Sequence, residues 1–214
     1  MTKDAYNTVF GESESVTVIE KSKFICNLKN ISDENDAKEY IEIIRKRHPF
    51  ATHGCFAYIA DENGMTQKFS DDGEPQGTAG LPMLEVLKNK KIYKTVAVVT
   101  RYFGGIKLGT GGLVRAYGGA VENALSLAKI VCMSMAVHYS CALDYEFYDK
   151  FSAFCKNADV VVADKVFSDK IELKIVVRES EKVLFTDRLN DCFNGKITIY
   201  ETSKAYYPFE TKNA

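Results

Sequence analysis

Two glycine-rich stretches of opposite charge carry the residues able to do chemistry. The first is SDDGEPQGTAG, Ser70 to Gly80, with three acids, Asp71, Asp72 and Glu74, among Ser70, Gly73, Gln76 and Thr78. Hard divalent cations take clustered carboxylates, so the acids are candidate metal ligands or general acid–base groups. Their DDxE spacing matches no established metal loop, and the other reading is a helix-entry loop whose acids answer basic residues downstream. No metal and no cofactor is therefore assigned. The second stretch, Arg101 to Val121, reads RYFGGIKLGTGGLVRAYGGAV. Arg101, Lys107 and Arg115 are interleaved with Tyr102, Phe103 and Tyr117, and Gly104, Gly105, Gly109, Gly111 and Gly112 surround Thr110. From Val86 to Val121 there are seven Lys or Arg and no Asp or Glu, in a chain of net charge −1. Such a local positive field favours phosphate. His53 and Cys55 lie one residue apart, on one face if they are in a strand, but no third group orients them as a nucleophile–base pair.

The elements that hold these residues follow from hydrophobic period. Thr95 to Thr100 (TVAVVT) has the β-branched density of a buried strand. From Leu113 the pattern turns helical, with Leu113, Ala116, Tyr117, Ala120, Val121, Ala124 and Ala128 on one face. Strand, glycine loop and helix together present backbone N–H groups to an anion, or let a small-residue helix lie close to a sheet. The spacing is neither GxxxxGK[ST] nor GxGxxG, so the nucleotide-binding forms of that arrangement are excluded, and no HExxH occurs.

Upstream, Ser15 to Ile31 reads as two strands around Glu20-Lys21-Ser22. A helix follows with Ser32 as N-cap and an apolar stripe of Ala37, Tyr40, Ile41 and Ile44. Strands are expected at Cys55–Ala60 and Met65–Phe69, joined by a turn with an Asn63-Gly64 signal. A short helix then carries Leu81, Leu84 and Leu87, with Pro82 in its first turn.

Downstream, Cys132 to Leu143 alternates, placing Met133, Met135, Val137, Tyr139, Cys141 and Leu143 on one face. A helix from about Asp144, strands at Val160–Phe167 and Ile171–Val177, a helix from Glu179 to Cys192 and a strand at Lys196–Glu201 complete the order β-α-β-β-α-β. That is the ferredoxin-like split motif. From Val131 onward there are 11 Lys/Arg and 13 Asp/Glu, net −2, so this half is no general polyanion binder. The boundary is placed between residues 1–132 and 133–214.

The 214 residues, 46% of them hydrophobic, suffice for one or two cores. No apolar run approaches ~18 residues, so no membrane partner is expected. The N-terminus is polar and acidic, unlike a secretory leader, and six scattered cysteines without a CxxC pair fit neither a zinc ribbon nor a disulfide scaffold. The expected compartment is the cytoplasm.

THGCFAY (Thr52 to Tyr58), SDDGEPQGTAG and RYFGGIKLGTGGLVRAYGGAV resemble the IMPACT family, in its bacterial two-domain branch. The resemblance covers most of residues 15–130, and the C-terminal half looks like the smaller appended domain of that branch. It implies an α+β protein with two domains. The N-terminal one would be a ribosomal-protein-like β-α sandwich similar to the fourth domain of elongation factor G. The C-terminal one would be ferredoxin-like, similar to the fifth. Eukaryotic relatives act in translational control through an extra partner-binding domain that has no counterpart here. The expected function is binding of RNA or the ribosome in the regulation of translation, without catalysis. Arg101, Lys107 and Arg115 would contact phosphate, with Tyr102 and Phe103 available for stacking. The alternatives are an enzyme acting on a small phosphorylated or anionic substrate between the two loops, and a scaffold for a protein partner.

Overall fold

The computed structural model describes residues 5–210. The first four residues, part of the segment read as lacking a leader, and the last four lie outside the described residues. The chain forms two compact units. The second is Met133–Pro208, and the first runs to Cys132 and takes in Phe209 and Glu210.

The first unit is built on the antiparallel sheet β2-β3-β6-β4-β5. Its strands are β2 (Glu12–Ile19), β3 (Ser22–Asn30), β4 (His53–Ile59), β5 (Gln67–Ser70) and β6 (Thr95–Tyr102). β6 is central because its residues are apolar or β-branched on both faces, and Thr95 to Arg101 are all buried. Alternation divides its side chains. Ala97 and Val99 meet α2 (Gly80–Asn89) and α3 (Gly109–Leu127) in the larger core, while Val96 and Val98 meet α1 (Glu34–Arg47).

α1 buries Ala37, Tyr40, Ile41 and Ile44, the stripe read from the sequence. Its N-cap is Asp33, not Ser32: the Asp33 carboxylate accepts the N–H groups of Asn35 and Asp36. A carboxylate there also answers the positive helix end, which a hydroxyl does less well. Ser32 instead bonds Asp36 through its hydroxyl and its N–H. β5 starts at Gln67 rather than Met65, because Asp61 accepts N–H groups from Asn63, Met65 and Thr66 and keeps those residues in the turn. In α2 the core residues are Met83, Leu84 and Leu87, and Leu81 is on the exposed side. The strand β1 (Ala5–Val9) was not anticipated, since its tail-like composition hides Val9 and the buried Thr8, whose hydroxyl meets that of Thr95.

α3 begins at Gly109, a turn earlier than its apolar pattern. Its buried face is Leu113, Ala116, Tyr117, Ala120, Val121 and Ala124. The small residues bring the helix close enough to β2 for Ser15 and Ser13 to donate hydroxyl bonds to the carbonyls of Ala120 and Ala124, at 3.3 and 3.2 Å.

The second unit runs β7 (Ile130–Leu143), α4 (Tyr148–Asn157), β8 (Val161–Phe167), β9 (Ile171–Arg178), α5 (Lys182–Phe193) and β10 (Ile199–Glu210), with short 3-10 turns before each helix. β9 lies between β7 and β8, antiparallel to both, and β10 pairs β7. Val137, Tyr139, Cys141 and Leu143 of β7 enter the core, where Phe151, Phe185 and Phe193 of the two helices pack. The alternation lapses at the start of β7, where Ser134 is buried while Met133 and Met135 are only partly so. β10 is longer and later than the expected Lys196–Glu201 strand. Lys196 instead closes the turn after α5, with its N–H on the Phe193 carbonyl.

Candidate functional site

The two glycine-rich stretches meet. Register places His53 of β4 opposite Arg101 of β6, so both side chains emerge on the α2/α3 side at one end of the sheet. The acidic loop, Ser70 to Ala79, folds over that end. The first turn of α3 adjoins it. Between them is a cavity of about 340 Å3 whose walls include Glu74, Arg101, Phe103, Lys107, Gly109 and Thr110.

The three acids have different tasks. Asp71 caps α2 from a distance, its carboxylate accepting the N–H groups of Gly77, Ala79 and Gly80 at 2.8, 3.0 and 2.9 Å. α2 has no side-chain cap of its own, so this carboxylate answers its free N–H groups. Asp72 accepts the N–H of Gly54 at 2.6 Å and faces Arg45 at 3.5 Å. Glu74 turns inward and is 9% exposed. The oxygens of Asp71 and Asp72 are thus committed to backbone and Arg45: Asp71 serves the entry to α2, Asp72 braces Gly54 of β4, and only Glu74 answers a basic residue downstream, Arg101. Among the described residues no group of three or more His, Cys, Asp or Glu is placed to hold a metal ion. Of the remaining loop residues, the Thr78 hydroxyl donates to the Pro75 carbonyl and the Ser70 hydroxyl accepts the Asp72 N–H. Gly73 and Gln76 are exposed.

Glu74 is gripped through one oxygen. Its Oε1 accepts Arg101 Nη1 at 2.6 Å and the Tyr117 hydroxyl at 2.7 Å. Burial foremost, then the neighbouring Cys55 and Glu74, push the Tyr117 phenol up, so it remains a donor. Arg101 is 5% exposed, its Nη2 bonds the Ser22 hydroxyl at 3.3 Å, and its guanidinium stacks over Phe24 and Phe103. Among the described residues its buried Nε has no partner. Arg101 is therefore not an exposed phosphate contact as the sequence suggests. It is the counter-charge paired with the buried Glu74 carboxylate.

His53 Nδ1 lies 2.8 Å from the Asp72 carbonyl oxygen, which can only accept, so Nδ1 carries a proton. Nε2 then faces Glu74 Oε1 at 3.9 Å, too far for a hydrogen bond. Cys55 is buried, donates to the Asp71 carbonyl at 3.0 Å, and is pushed up to about 12 by burial, so its thiol is no nucleophile at neutral pH.

The basic loop divides in the same way. Tyr102, on the opposite face of β6 from Arg101, meets His48 Nδ1 through its hydroxyl at 3.0 Å and is not part of the cavity. Phe103 is 46% exposed, with its backbone N–H on the Thr52 hydroxyl at 3.0 Å. Gly104 presses on the turn of the β2–β3 hairpin. A Cβ there would stand 2.0 Å from the Lys21 carbonyl carbon, so no other residue fits without moving backbone. Its N–H is bonded to the Ser22 hydroxyl, which also receives Arg101. Gly105, Lys107, Gly109, Thr110, Gly111 and Arg115 are exposed, and Gly112 is partly so. The first turn of α3 has no side-chain cap and no acid, so its N–H groups form an uncompensated positive end beside Lys107. The sequence does not pair Glu74 with Tyr117, or Arg101 with Ser22. The partners come from distant strands and a helix, and no spacing signal marks them.

The sequence matches the family model of the Impact N-terminal domain over residues 20–125 and a domain of unknown function (DUF1949) over residues 141–196. It is 43% identical over 202 residues to the IMPACT family member YvyE of Bacillus subtilis, covering 94% of this chain and 93% of that one. It is 35% identical over 189 residues to the IMPACT family member YigZ of Escherichia coli, covering 86% and 93%. A crystal structure described as that of a hypothetical protein superposes with a TM-score of 0.61 at 32% identity, over 94% of this chain and 98% of the other. Both glycine-rich loops and the cavity between them fall inside the matched N-terminal domain, and the chain belongs to the IMPACT family.

Proposed function

We propose that the protein is a non-catalytic RNA-binding factor that acts on the translation machinery, with the rim of the α3 N-terminus as its RNA-facing surface. The observation that carries this reading is the grouping of Lys107, Arg115 and the uncapped α3 N-terminus with the half-exposed ring of Phe103. Single-stranded nucleic acid is held by such a combination, in which cations and N–H groups take phosphate while an aromatic face takes a base. The Arg101 guanidinium behind Phe103 holds that ring in place. The commitment of Asp71 and Asp72 to backbone N–H groups argues against a metal-dependent enzyme in the same loops. The β-α-β-β-α-β order of the second unit, with β10 and β9 flanking β7 and β8 beyond β9, supports the ferredoxin-like reading. The helix-covered first unit supports the ribosomal-protein-type reading.

The test is sedimentation of the protein with ribosomes, alongside titration of single-stranded RNA across a range of salt. Binding is expected to weaken with salt, and Lys107→Ala with Arg115→Ala is expected to lower the slope of log K against log salt by about 1.4, at ~0.7 per phosphate contact on a single strand. No binding to RNA or ribosomes at low salt would remove the proposal.

A further inference from the structure

Among the described residues, one oxygen of Glu74 takes no hydrogen bond. Both the Arg101 and the Tyr117 bonds land on Oε1, and Oε2 takes neither. Glu74 nevertheless forms part of the cavity wall, together with Lys107, Gly109 and Thr110. A carboxylate can only accept, so its complement in a ligand is a donor. Because Arg101 matches its charge at 2.6 Å, this carboxylate can stand beside a bound phosphate without the repulsion of a free acid. The cavity therefore offers two different recognition elements. Lys107 and the α3 N-terminus suit a phosphate, and a fixed, buried acceptor suits a hydroxyl. At about 340 Å3 it lies at the lower end of the range for small-molecule sites, the scale of one nucleotide unit.

Within a nucleic-acid strand the group that supplies a phosphate and a hydroxyl together is the ribonucleotide, through its 2′-OH, which DNA lacks. We infer that Glu74 Oε2 accepts the ribose 2′-hydroxyl of a nucleotide whose phosphate lies at the α3 N-terminus, so that the first unit distinguishes RNA from DNA. This rests on the RNA-binding reading above and adds to it a specificity-determining residue. Arg101 and Tyr117 act as positioning residues, since they fix the carboxylate and touch it rather than the ligand.

The test uses the full chain and three single-stranded oligonucleotides of one sequence, made as RNA, as DNA and as 2′-fluoro RNA, with binding followed by fluorescence anisotropy at fixed salt. The 2′-fluoro strand keeps the sugar pucker of RNA but has no hydroxyl to donate. DNA and 2′-fluoro RNA are both expected to bind roughly 10–100-fold less tightly than RNA, the range for a hydrogen bond to a charged group. Equal binding of RNA and 2′-fluoro RNA would overturn the inference and leave the RNA-binding reading standing. Absence of binding to all three strands would overturn both.

The Glu74→Gln variant supplies the protein side of the test. Arg101 only donates, so the Gln carbonyl must take the Oε1 position, which turns its NH2 toward the cavity. A hydroxyl also accepts, so this NH2 meets it as a neutral donor only, and the variant is expected to lose most of the preference for RNA over 2′-fluoro RNA. Retention of the full preference would overturn the reading of the hydroxyl by a charged acceptor. Thermal unfolding establishes whether the variant is folded, and if it is not, the three strands on the unaltered protein decide the question alone.

Discussion

Arg101 Nη1 and Glu74 Oε1 are 2.6 Å apart, on side chains that are both almost wholly withdrawn from solvent. One comes from the end of the central strand and the other from the acidic loop, so the pair fastens the two glycine-rich stretches together. A buried pair of this kind adds little over a well-packed apolar pair, but removing one partner strands the other's charge. Glu74→Ala is therefore expected to cost about 3–5 kcal/mol of stability in urea unfolding. Replacing both residues together, as Glu74→Leu with Arg101→Met, is expected to cost clearly less than the sum of the single changes.

Gly104→Ala should be among the most damaging single changes in the chain. Its new carbon would fall 2.0 Å from backbone at Lys21, and neither strand end can retreat without breaking the β3–β6 ladder. A loss of more than about 4 kcal/mol, or failure to accumulate as folded protein, is expected. Circular dichroism during thermal unfolding measures it.

Asp71→Asn should weaken the start of α2. The charged acceptor of three N–H groups becomes a neutral amide with one acceptor oxygen, at a cost of about 1–2 kcal/mol. Divalent cations are expected to leave the melting temperature of the unaltered protein unchanged. A rise that depends on Asp72 would show a metal site.

Stability should fall in alkali. Burial pushes the thiols of Cys55 and Cys155 up to about 12 and that of Cys141 to about 11, from an ordinary 9.0. Below pH 9 both the folded and the unfolded chain keep these protons. From pH 9 to about 12 only the unfolded chain releases them, so the folded state binds more protons and stability decreases as pH rises. Cys55→Ala should flatten that decline by up to ~1.4 kcal/mol per pH unit. Urea unfolding at pH 8, 9.5 and 10.5 tests this, and an unchanged slope in the variant would count against it.

The legible parts of the fold were those with a strong local period. The stripes of α1 and α3 and the apolar run of β6 declare themselves in sequence because each element buries its own face. The β1 strand did not, because a five-residue strand with a buried threonine has too short a pattern to stand out from a polar tail. At the site, residue types were visible and roles were not. Asp71, Asp72 and Glu74 look alike in sequence, and only tertiary contact separates a helix cap, a loop brace and a buried acceptor. Arg101 and Lys107 are likewise both basic, yet one lies over Phe24 in the core and the other is exposed. Nothing local distinguishes them, since the ring and the carboxylate that claim Arg101 come from other parts of the chain.

The hairpin turn at Glu20 and Lys21 takes left-handed backbone at two residues that are not glycine, and it is against this turn that Gly104 rests. The basic glycine-rich loop is thus clamped at its root by a neighbouring hairpin, which fixes the backbone there. Capture would then need no slow rearrangement at that root. Arrival should be governed by encounter and by the attraction of Lys107 and Arg115, and differences among sequences should appear mainly in how long the strand stays.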